Sequence, residues 1–275
     1  MKAILIDLAI FGLIAVIQSR SLSVEDDEFL EELEKNAFLF FWEQGDNDTG
    51  LIRDRAVVTG INETRPVASI ASVGYGLTAF TIAHKRNYYD AKEIEKRVEI
   101  TLDFILNKLD GYKGFYYHFV DMKTGKRVWN CELSSIDTAI MINGVLSVKA
   151  YFKSNARIVD MATKIYERAD YMWFYNTTTG FISMGWFPDK GFLEASWSIY
   201  CELMMLLLQA IGSPTHPVPV EAWDNFKRDK LTYMNITYIT TSAPLFIHQF
   251  SRAWYDFRNK TDKYTDYYLN SILAT

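Results

Sequence analysis

Apolar residues recur at helical spacing along most of this chain, which predicts that helices dominate its structure. The segment 88–111 is the clearest case, because its apolar positions share one face and the pattern ends at Gly111. Segments of the same kind occupy residues 23–44, 66–87, 134–154, 156–175, 196–211 and 244–260, and a last one begins near residue 264. No Pro/Ser-rich linker separates these segments. We therefore expect one all-α domain over residues 22–275, built from about seven or eight paired helices.

The hydrophobic pattern changes in two places. Residues 113–130, "KGFYYHFVDMKTGKRVWN", alternate in period two on each side of "MKTG", which predicts a small β-hairpin insertion. Residues 176–191 are rich in glycine and aromatic residues and indicate a loop. Small residues in the helical segment 66–87, including Gly74, would let another backbone or a ligand come close.

The first 21 residues have the pattern of a signal peptide. Lys2 precedes the apolar run "AILIDLAIFGLIAVI", and small residues follow it near Ser19 and Ser21. Asp7 weakens the apolar run, and the alternative is a membrane anchor. Cleavage would leave residues 22–275 without stable membrane association, because no other run reaches the ~20 apolar residues of a spanning helix. Five Asn-x-Thr sequons also fit a secreted protein, or a periplasmic one if the source is bacterial.

Composition narrows the possible partners. The chain has 275 residues, 49% of them hydrophobic and 15% aromatic, and a net charge of −5 without any basic block. This argues against nucleic acid and anionic membrane surfaces as partners. Many tyrosines and tryptophans in an acidic protein favour a neutral, hydroxyl-rich ligand such as a sugar.

The spacing of motifs argues against several kinds of site. Two cysteines exclude a disulfide-rich scaffold and a CxxC zinc site, although one bridge between Cys131 and Cys201 remains open. The four histidines lack any metal-binding spacing, so we expect no metal and no cofactor. There is no GxSxG elbow for a hydrolase triad and no GxGxxG for a nucleotide.

Three acidic residues are candidates for catalysis. Glu202 lies in a segment that is apolar on nearly all faces, where desolvation would raise its pKa to suit a general acid. The alternative is a glutamate facing solvent at a helix start, where the helix dipole favours negative charge. Asp137 lies three residues after Ser134, which predicts a capping box; this structural role requires no catalysis but can coexist with a place in a site. Glu132 precedes it at the junction between the hairpin and the helix.

Aromatic residues could either fill the core or stack on sugar rings. Each is individually a core candidate, and Trp186 is the better candidate for sugar stacking because it lies in the glycine-rich loop. These residues are Trp129, Trp173, Trp186, Trp197, Tyr200 and Trp254.

Several strings together resemble the glucoamylase-like domain family, which includes endo-β-1,2-glucanases and a domain of cyclic β-1,2-glucan synthases. They are "GLIRDR", "FYYHFVDMKTG", "ELSSIDTA", "GFLEASWSIYCELMMLLLQAIGSPTHPVP" and "PLFIHQFSRAWYDFRNKTDKY", in order over residues 27–275. The resemblance implies an (α/α)6 toroid whose inner helices surround a carbohydrate cleft, with no catalytic metal. Members of the family continue beyond "NSILAT". We therefore expect an incomplete toroid that lacks its C-terminal part and the opposing catalytic carboxylate.

The same resemblance assigns residues to the cleft. "WSIYCE" is similar to a family pattern close to W-x-x-Y-N-E, which makes Glu202 the expected general acid, while Cys201 replaces the usual Asn. "ELSSIDTA" matches fully and brings Glu132 and Asp137 to the cleft as catalytic candidates. The expected substrate-binding residues are Arg53, Asp54, Arg55, Trp186, Trp197, Tyr200, His248 and Gln249.

The resemblance implies a glycoside hydrolase that acts on β-glucan, with β-1,2 linkages, through carboxylate acid/base chemistry. The substrate would be an oligo- or polysaccharide. One alternative is a carbohydrate-binding relative that has kept the cleft without the chemistry. A polysaccharide lyase on a similar toroid is disfavoured, because the modest basic content does not suit uronate substrates.

Overall fold

A computed structural model describes residues 22–57, 66–241 and 244–275. The described residues fall into two compact units, and the division lies between Ala37 and Phe38. The described part of the first unit is helical apart from its first two residues. The second unit contains every strand among the described residues and all of the candidate catalytic residues.

Helices account for most of the regular structure, as the periodicity predicts. Asp90 caps one of them by accepting hydrogen bonds from two backbone amides at 3.0 Å, at the start of the segment that the sequence marks most clearly. Among the described residues the helices are α1 (Val24–Glu43), α2 (Ile70–Arg86), α3 (Ala91–Asn107), α4 (Ser135–Tyr151), α5 (Ala156–Arg168), α6 (Tyr171–Phe174), α7 (Leu203–Ile211), α8 (Ala222–Asn225), a 3₁₀ helix (Leu245–His248), α9 (Phe250–Trp254) and α10 (Tyr267–Ala274).

The prediction of an all-α domain is only partly right, because the described residues also form four small antiparallel sheets. Their strands are β1 (Val67–Ser69), β2 (Gly111–Tyr112), β3 (Phe115–Tyr117), β4 (Phe119–Asp121), β5 (Leu133–Ser134), β6 (Tyr175–Asn176), β7 (Phe181–Ile182), β8 (Gly185–Phe187), β9 (Gly191–Phe192), β10 (Lys230–Tyr233) and β11 (Ile236–Ile239). The largest sheet has five strands in the order β2-β3-β5-β8-β9, and three two-stranded sheets pair β1 with β4, β6 with β7 and β10 with β11.

The predicted hairpin around "MKTG" is only partly right. The turn is present, since the Asp121 amide donates to the Lys126 carbonyl at 2.8 Å, but pairing across it is limited to one bridge between Val120 and Arg127. Strand β3 instead pairs with β2 and β5, and β4 pairs with β1. The alternation in this segment therefore reports two strands that belong to different sheets.

Helices α2 and α4 pack with their backbones in contact, and glycines permit this. A Cβ added to Gly74 would lie 2.3 Å from the Ile140 carbonyl oxygen, and one added to Gly144 would lie 2.2 Å from the Gly74 carbonyl oxygen. Both positions are buried. The small residues of α2 thus admit another backbone, one of the two possibilities that the sequence leaves open.

Helix α7 begins at Leu203, whereas the sequence predicts a helix from about residue 197. Residues 197–201 instead bond to distant backbone: the Trp197 amide donates to Ile182 at 2.9 Å, and the Tyr200 amide donates to Lys227 at 2.8 Å. These tertiary hydrogen bonds override the local helical pattern. As a result, Glu202 occupies the N-cap position of α7 and not a site inside the helix.

Two sequence-based expectations fall wholly or partly outside the described residues. The predicted signal peptide, residues 1–21, lies entirely outside them, and so does Asn62 of one sequon. The helices in the described part of the chain are too short or too polar to cross a bilayer. The other four sequon asparagines are exposed: Asn47, Asn176, Asn235 and Asn259.

Candidate active site

His118 joins two of the predicted catalytic carboxylates. Its Nδ1 lies 3.0 Å from Glu132 Oε1, and its Nε2 lies 3.6 Å from Asp137 Oδ1. Strand pairing brings the three residues together, since the His118 amide donates to the Glu132 carbonyl at 3.1 Å and β5 leads directly into helix α4. We call His118, Glu132 and Asp137 the carboxylate–histidine cluster.

Ser134 caps helix α4 as its spacing predicts. Its Oγ accepts a hydrogen bond from the Asp137 amide at 3.2 Å and donates one to Asp137 Oδ2 at 2.5 Å. The cap therefore uses the backbone of Asp137, while the side chain of Asp137 remains available to His118. The cap and the contact with His118 thus coexist at this residue.

Within the cluster, the pKa values of Glu132 and Asp137 shift in opposite directions. The hydrogen bond to His118 lowers the pKa of Glu132 against the opposing effect of burial. Burial raises the pKa of Asp137 by more than His118 and Ser134 lower it. Burial would lower the pKa of His118, but its bond to Glu132 and the charges of the nearby acids raise it overall. The arrangement favours an ionised Glu132 beside a protonated imidazole.

Glu202 is partly buried at the N-terminal end of α7. Burial raises its pKa, and the charge of Asp137 raises it further, while a hydrogen bond from the Cys201 thiol opposes the shift. This electrostatic coupling connects Glu202 with the carboxylate–histidine cluster. Glu202 is thus desolvated, as the first sequence-based interpretation predicts, and it also lies at a helix start, as the second predicts.

Tyr75 of helix α2 is a neighbour of Glu202 that sequence reasoning did not single out. Burial raises the pKa of its phenol, and the charge of Glu202 raises it further. Its hydroxyl is buried and makes no hydrogen bond with the described residues. The ring is fixed by Phe250 and Trp254, with centroid distances of 5.3 and 5.0 Å. The Tyr75 hydroxyl is thus a buried polar group without a partner among the described residues, close enough to Glu202 to respond to its charge.

His118 was also missed as a member of the site. The sequence contains it in the string "FYYHFVDMKTG", but its partners are 14 and 19 positions away and belong to other elements. Only the strand pairing between β3 and β5 could have indicated this contact.

The predicted "RDR" residues differ in their environments. The charge of Asp54 acts on His118, which puts it in the neighbourhood of the cluster. Its carboxylate also forms an ion pair with Arg55, whose side chain is exposed. Arg53 forms a β-bridge with Ala68.

Tyr200 and His248 lie in the core and bind each other. Tyr200 is 1% exposed and His248 5% exposed, and the Tyr200 hydroxyl lies 3.1 Å from His248 Nδ1. The other ring nitrogen of His248 lies 3.2 Å from Thr240 Oγ1. These two residues support the fold around Glu202 and are not exposed to a ligand. Gln249, the next residue, is exposed.

The two predicted tryptophans are partly buried and held by neighbours. Trp197 Nε1 donates to Ser135 Oγ at 2.9 Å, which places its indole beside the first turn of α4. Trp186 stacks on Tyr112 at a centroid distance of 5.6 Å and contacts Trp173 edge-on at 5.2 Å. Its strand pairs with β5, next to Glu132.

The cluster also has the composition of a metal site. One ligand atom each of His118, Glu132 and Asp137 lies within 4.8 Å of the others. These residue types can bind a divalent transition metal, but the raised pKa of His118 favours the protonated imidazole over a neutral ligand. The expectation of no metal stays a prediction.

The two cysteines next to these acids are free thiols. Cys131 is buried, and its Sγ donates to the Phe119 carbonyl at 3.3 Å. Cys201 is also buried, and burial raises its pKa to about 12. Neither thiol has the low pKa of a nucleophile.

A comparison with models of known protein families matches the last part of this chain to one family. Residues 194–275, which include Glu202, match the model of the Glycoamylase family, described as "Putative glucoamylase". The match confirms the resemblance of this chain to the glucoamylase-like family.

Particular relatives are named for β-1,2-glucans. An exo β-1,2-glucooligosaccharide sophorohydrolase (non-reducing end) of Parabacteroides distasonis is 22% identical over 284 residues, which cover 90% of this chain and 38% of the relative. The endo-β-1,2-glucanase of Chitinophaga pinensis, solved with sophorotriose and glucose, is 23% identical with a TM-score of 0.82, over 92% of this chain and 65% of that one. A β-1,2-glucanase from Parabacteroides distasonis is 20% identical with a TM-score of 0.81, over 92% and 40% respectively. The chain thus shares their fold and spans under two thirds of their length.

Proposed function

We propose that this protein binds β-1,2-linked glucan and hydrolyses its glycosidic bonds through carboxylate acid/base chemistry. The similarity to proteins named as β-1,2-glucanases supports the substrate class. The packed helices fit the (α/α)6 arrangement that the family resemblance implies, and in that arrangement the candidate acids would line a carbohydrate cleft. The protein would act outside the cytoplasm after removal of residues 1–21, which mass spectrometry of the mature N-terminus would test.

The observation that carries this proposal is the opposite direction of the pKa shifts in one neighbourhood. Burial raises the pKa of Glu202, and the His118 bond lowers that of Glu132. Glycoside hydrolysis needs one carboxylic acid that can protonate the leaving oxygen and one ionised carboxylate. Glu202 has the first property and Glu132 the second. Asp137, whose pKa burial also raises, couples electrostatically to both of them.

Each group then has a specific task. Glu202 donates its proton to the glycosidic oxygen as the bond to the sugar carbon breaks. Glu132, kept ionised by His118, is the group in the described part of the chain that is suited to accept a proton from the attacking water, in place of the opposing carboxylate that the family resemblance predicts to be missing. Asp137 orients His118 through the 3.6 Å contact and presents its carboxyl group to sugar hydroxyls. Tyr75 contributes to the buried surroundings that raise the pKa of Glu202.

The test measures binding and turnover separately. Calorimetric titration with sophorotriose measures binding, and release of reducing ends from linear β-1,2-glucan measures hydrolysis, with β-1,3-glucan as the linkage control. We expect binding and turnover with the β-1,2 substrate, and a loss of about 10²–10⁴-fold in turnover for Glu202→Gln. Glu221→Gln, at an exposed glutamate, is the matched control and should retain full turnover.

The outcomes separate the two functions that remain. Binding without hydrolysis would favour the carbohydrate-binding alternative. Absence of binding to β-1,2-glucan would contradict the proposed function. Turnover that survives Glu202→Gln would remove this residue from the role of proton donor.

A further inference from the structure

Trp129 is an exposed indole close to the carboxylate–histidine cluster. All seven tryptophans lie in the described part of the chain, and Trp129 is the one with most of its surface accessible, at 57%. Large aromatic side chains contribute most when their surface is buried in a core or an interface, and the described structure leaves most of this indole open.

The backbone at Trp129 adopts a conformation that tryptophan disfavours. Trp129 and Asn130 have φ values of 55° and 49°, and the Cys131 amide donates to the Val128 carbonyl at 3.2 Å. Positive φ at both central residues matches a type I′ turn, where glycine, asparagine and aspartate dominate. Asn130 fits this preference. Trp129 does not, because its Cβ crowds the neighbouring backbone in the left-handed region.

Neighbouring residues hold this turn in place. Arg127 Nε donates to the Cys131 carbonyl at 2.6 Å, and its Nη2 donates to the Asn130 carbonyl at 2.8 Å. The Cys131 thiol donates to the Phe119 carbonyl at 3.3 Å. The indole of Trp129 is therefore presented to solvent from a braced turn, and not from a loose loop.

Two ring contacts connect Trp129 to the cluster. Its ring lies 5.1 Å from that of Phe119, and Phe119 stacks on His118 with a centroid distance of 3.9 Å and an interplanar angle of 13°. His118 contacts Glu132 and Asp137 directly. An oligosaccharide that reaches these acids would therefore have Trp129 beside it.

We propose that Trp129 is a sugar-stacking residue, which binds the apolar face of one glucose unit next to the carboxylate–histidine cluster. An indole offers a flat apolar surface to the C–H bonds of a pyranose ring, and its exposed area becomes buried when the sugar docks. This proposal rests on the proposed function and adds a subsite to it. The disfavoured backbone conformation at Trp129 then lowers the stability of the fold but places the indole for ligand binding, as local strain at functional sites commonly does.

The experiment uses Trp129→Asn, because asparagine tolerates the left-handed conformation and lacks the indole. We expect about tenfold weaker sophorotriose binding in calorimetric titration. The same variant should melt about 2 °C higher, because the turn strain is relieved. Trp129→Phe should retain an intermediate affinity. Tyr233→Asn, which removes an exposed aromatic residue from the separate β10–β11 sheet, should bind like the wild type.

The combination of results distinguishes the hypotheses. Weaker binding together with unchanged or higher thermal stability supports the subsite, since a packing role would lower stability. Equal binding by the wild type and Trp129→Asn would overturn the subsite and leave the proposed function intact. If the wild type binds no β-1,2-glucan, the proposed function fails, and the subsite fails with it.

Discussion

Replacing Asp137 by asparagine should separate its site role from the cap of helix α4. The Ser134 Oγ accepts its hydrogen bond from the backbone amide of residue 137, so Asp137→Asn preserves the cap. The amide oxygen of asparagine can still accept the hydroxyl of Ser134. What disappears is the negative charge 3.6 Å from His118. The perturbation therefore changes the electrostatics of the cluster and little else.

The magnitudes follow from these contacts. Ser134→Ala removes the cap itself, which costs about 0.5–2 kcal/mol of stability. Asp137→Asn loses a charge interaction but also the cost of burying a carboxylate, and these terms offset each other to within ~1 kcal/mol. Turnover should respond in the opposite order, with a loss of about 10²-fold or more for Asp137→Asn if the residue orients His118 and contacts sugar.

The pH dependence of stability supplies a second test. Burial raises the folded-state pKa of Asp137 above the usual 3.8, so the folded protein binds this proton more tightly than the unfolded chain. The wild type should therefore lose stability relative to Asp137→Asn as the pH rises from below 3.8 through the raised value. Urea denaturation at several pH values measures this difference.

The assay compares the free energy of unfolding with reducing-end release and sophorotriose affinity for the two variants. We expect Ser134→Ala to be the less stable variant and Asp137→Asn the less active one. If Asp137→Asn loses as much stability as Ser134→Ala and keeps its affinity and turnover, then Asp137 is a capping residue only, and the reasoning is refuted.

Three further predictions address packing, acidity and metal. Gly144→Ala should destabilise the protein by about 1–3 kcal/mol in urea denaturation, because the added methyl group would lie 2.2 Å from the Gly74 carbonyl oxygen. The control Ser147→Ala, on the same helix, should cost under ~0.5 kcal/mol. Equal losses of stability in the two variants would contradict the close helix contact. Wild-type turnover should fall as pH rises through the raised pKa of Glu202, and Glu202→Gln should abolish that limb of the profile; an unchanged limb would assign it to another group. Dialysis against a chelator should leave sophorotriose affinity unchanged, with no stoichiometric metal by elemental analysis; a metal that restores lost affinity would assign the cluster as its site.

Local features of the chain were predictable where the signal and its cause lie within one element. Helix α3 follows from its amphipathic spacing and from Asp90, whose side chain caps it. The Ser134 cap follows from a spacing of three residues. The final helical onset is also present, as α10. In each case the residues that form the hydrogen bonds are neighbours in sequence, so one segment contains all the information.

Features that depend on distant partners were not predictable in this way. Residues 197–201 form no helix, because their backbone bonds to segments near Ile182 and Lys227. The aromatic alternation in β3 and β4 was read as one hairpin, whereas the strands belong to separate sheets. The resemblance of "WSIYCE" to the family pattern predicts Tyr200 in the cleft, but its hydroxyl pairs with His248 in the core. A single sequence gives no indication of these pairings.

Glu202 shows how the buried position and the chemistry depend on each other. An ionised carboxylate at this depth would need a cation, and the groups that act on it are instead the Cys201 thiol, the charge of Asp137 and the start of a helix. Burial raises the pKa of Glu202, so the neutral form, which needs no cation, persists to higher pH than in an exposed glutamate. Glu132 has the reverse solution, because protonated His118 compensates its charge. Burial is therefore what would suit Glu202 to the proposed role of proton donor. Substitutions that admit water around Glu202 should weaken that role even when the carboxyl group itself is retained.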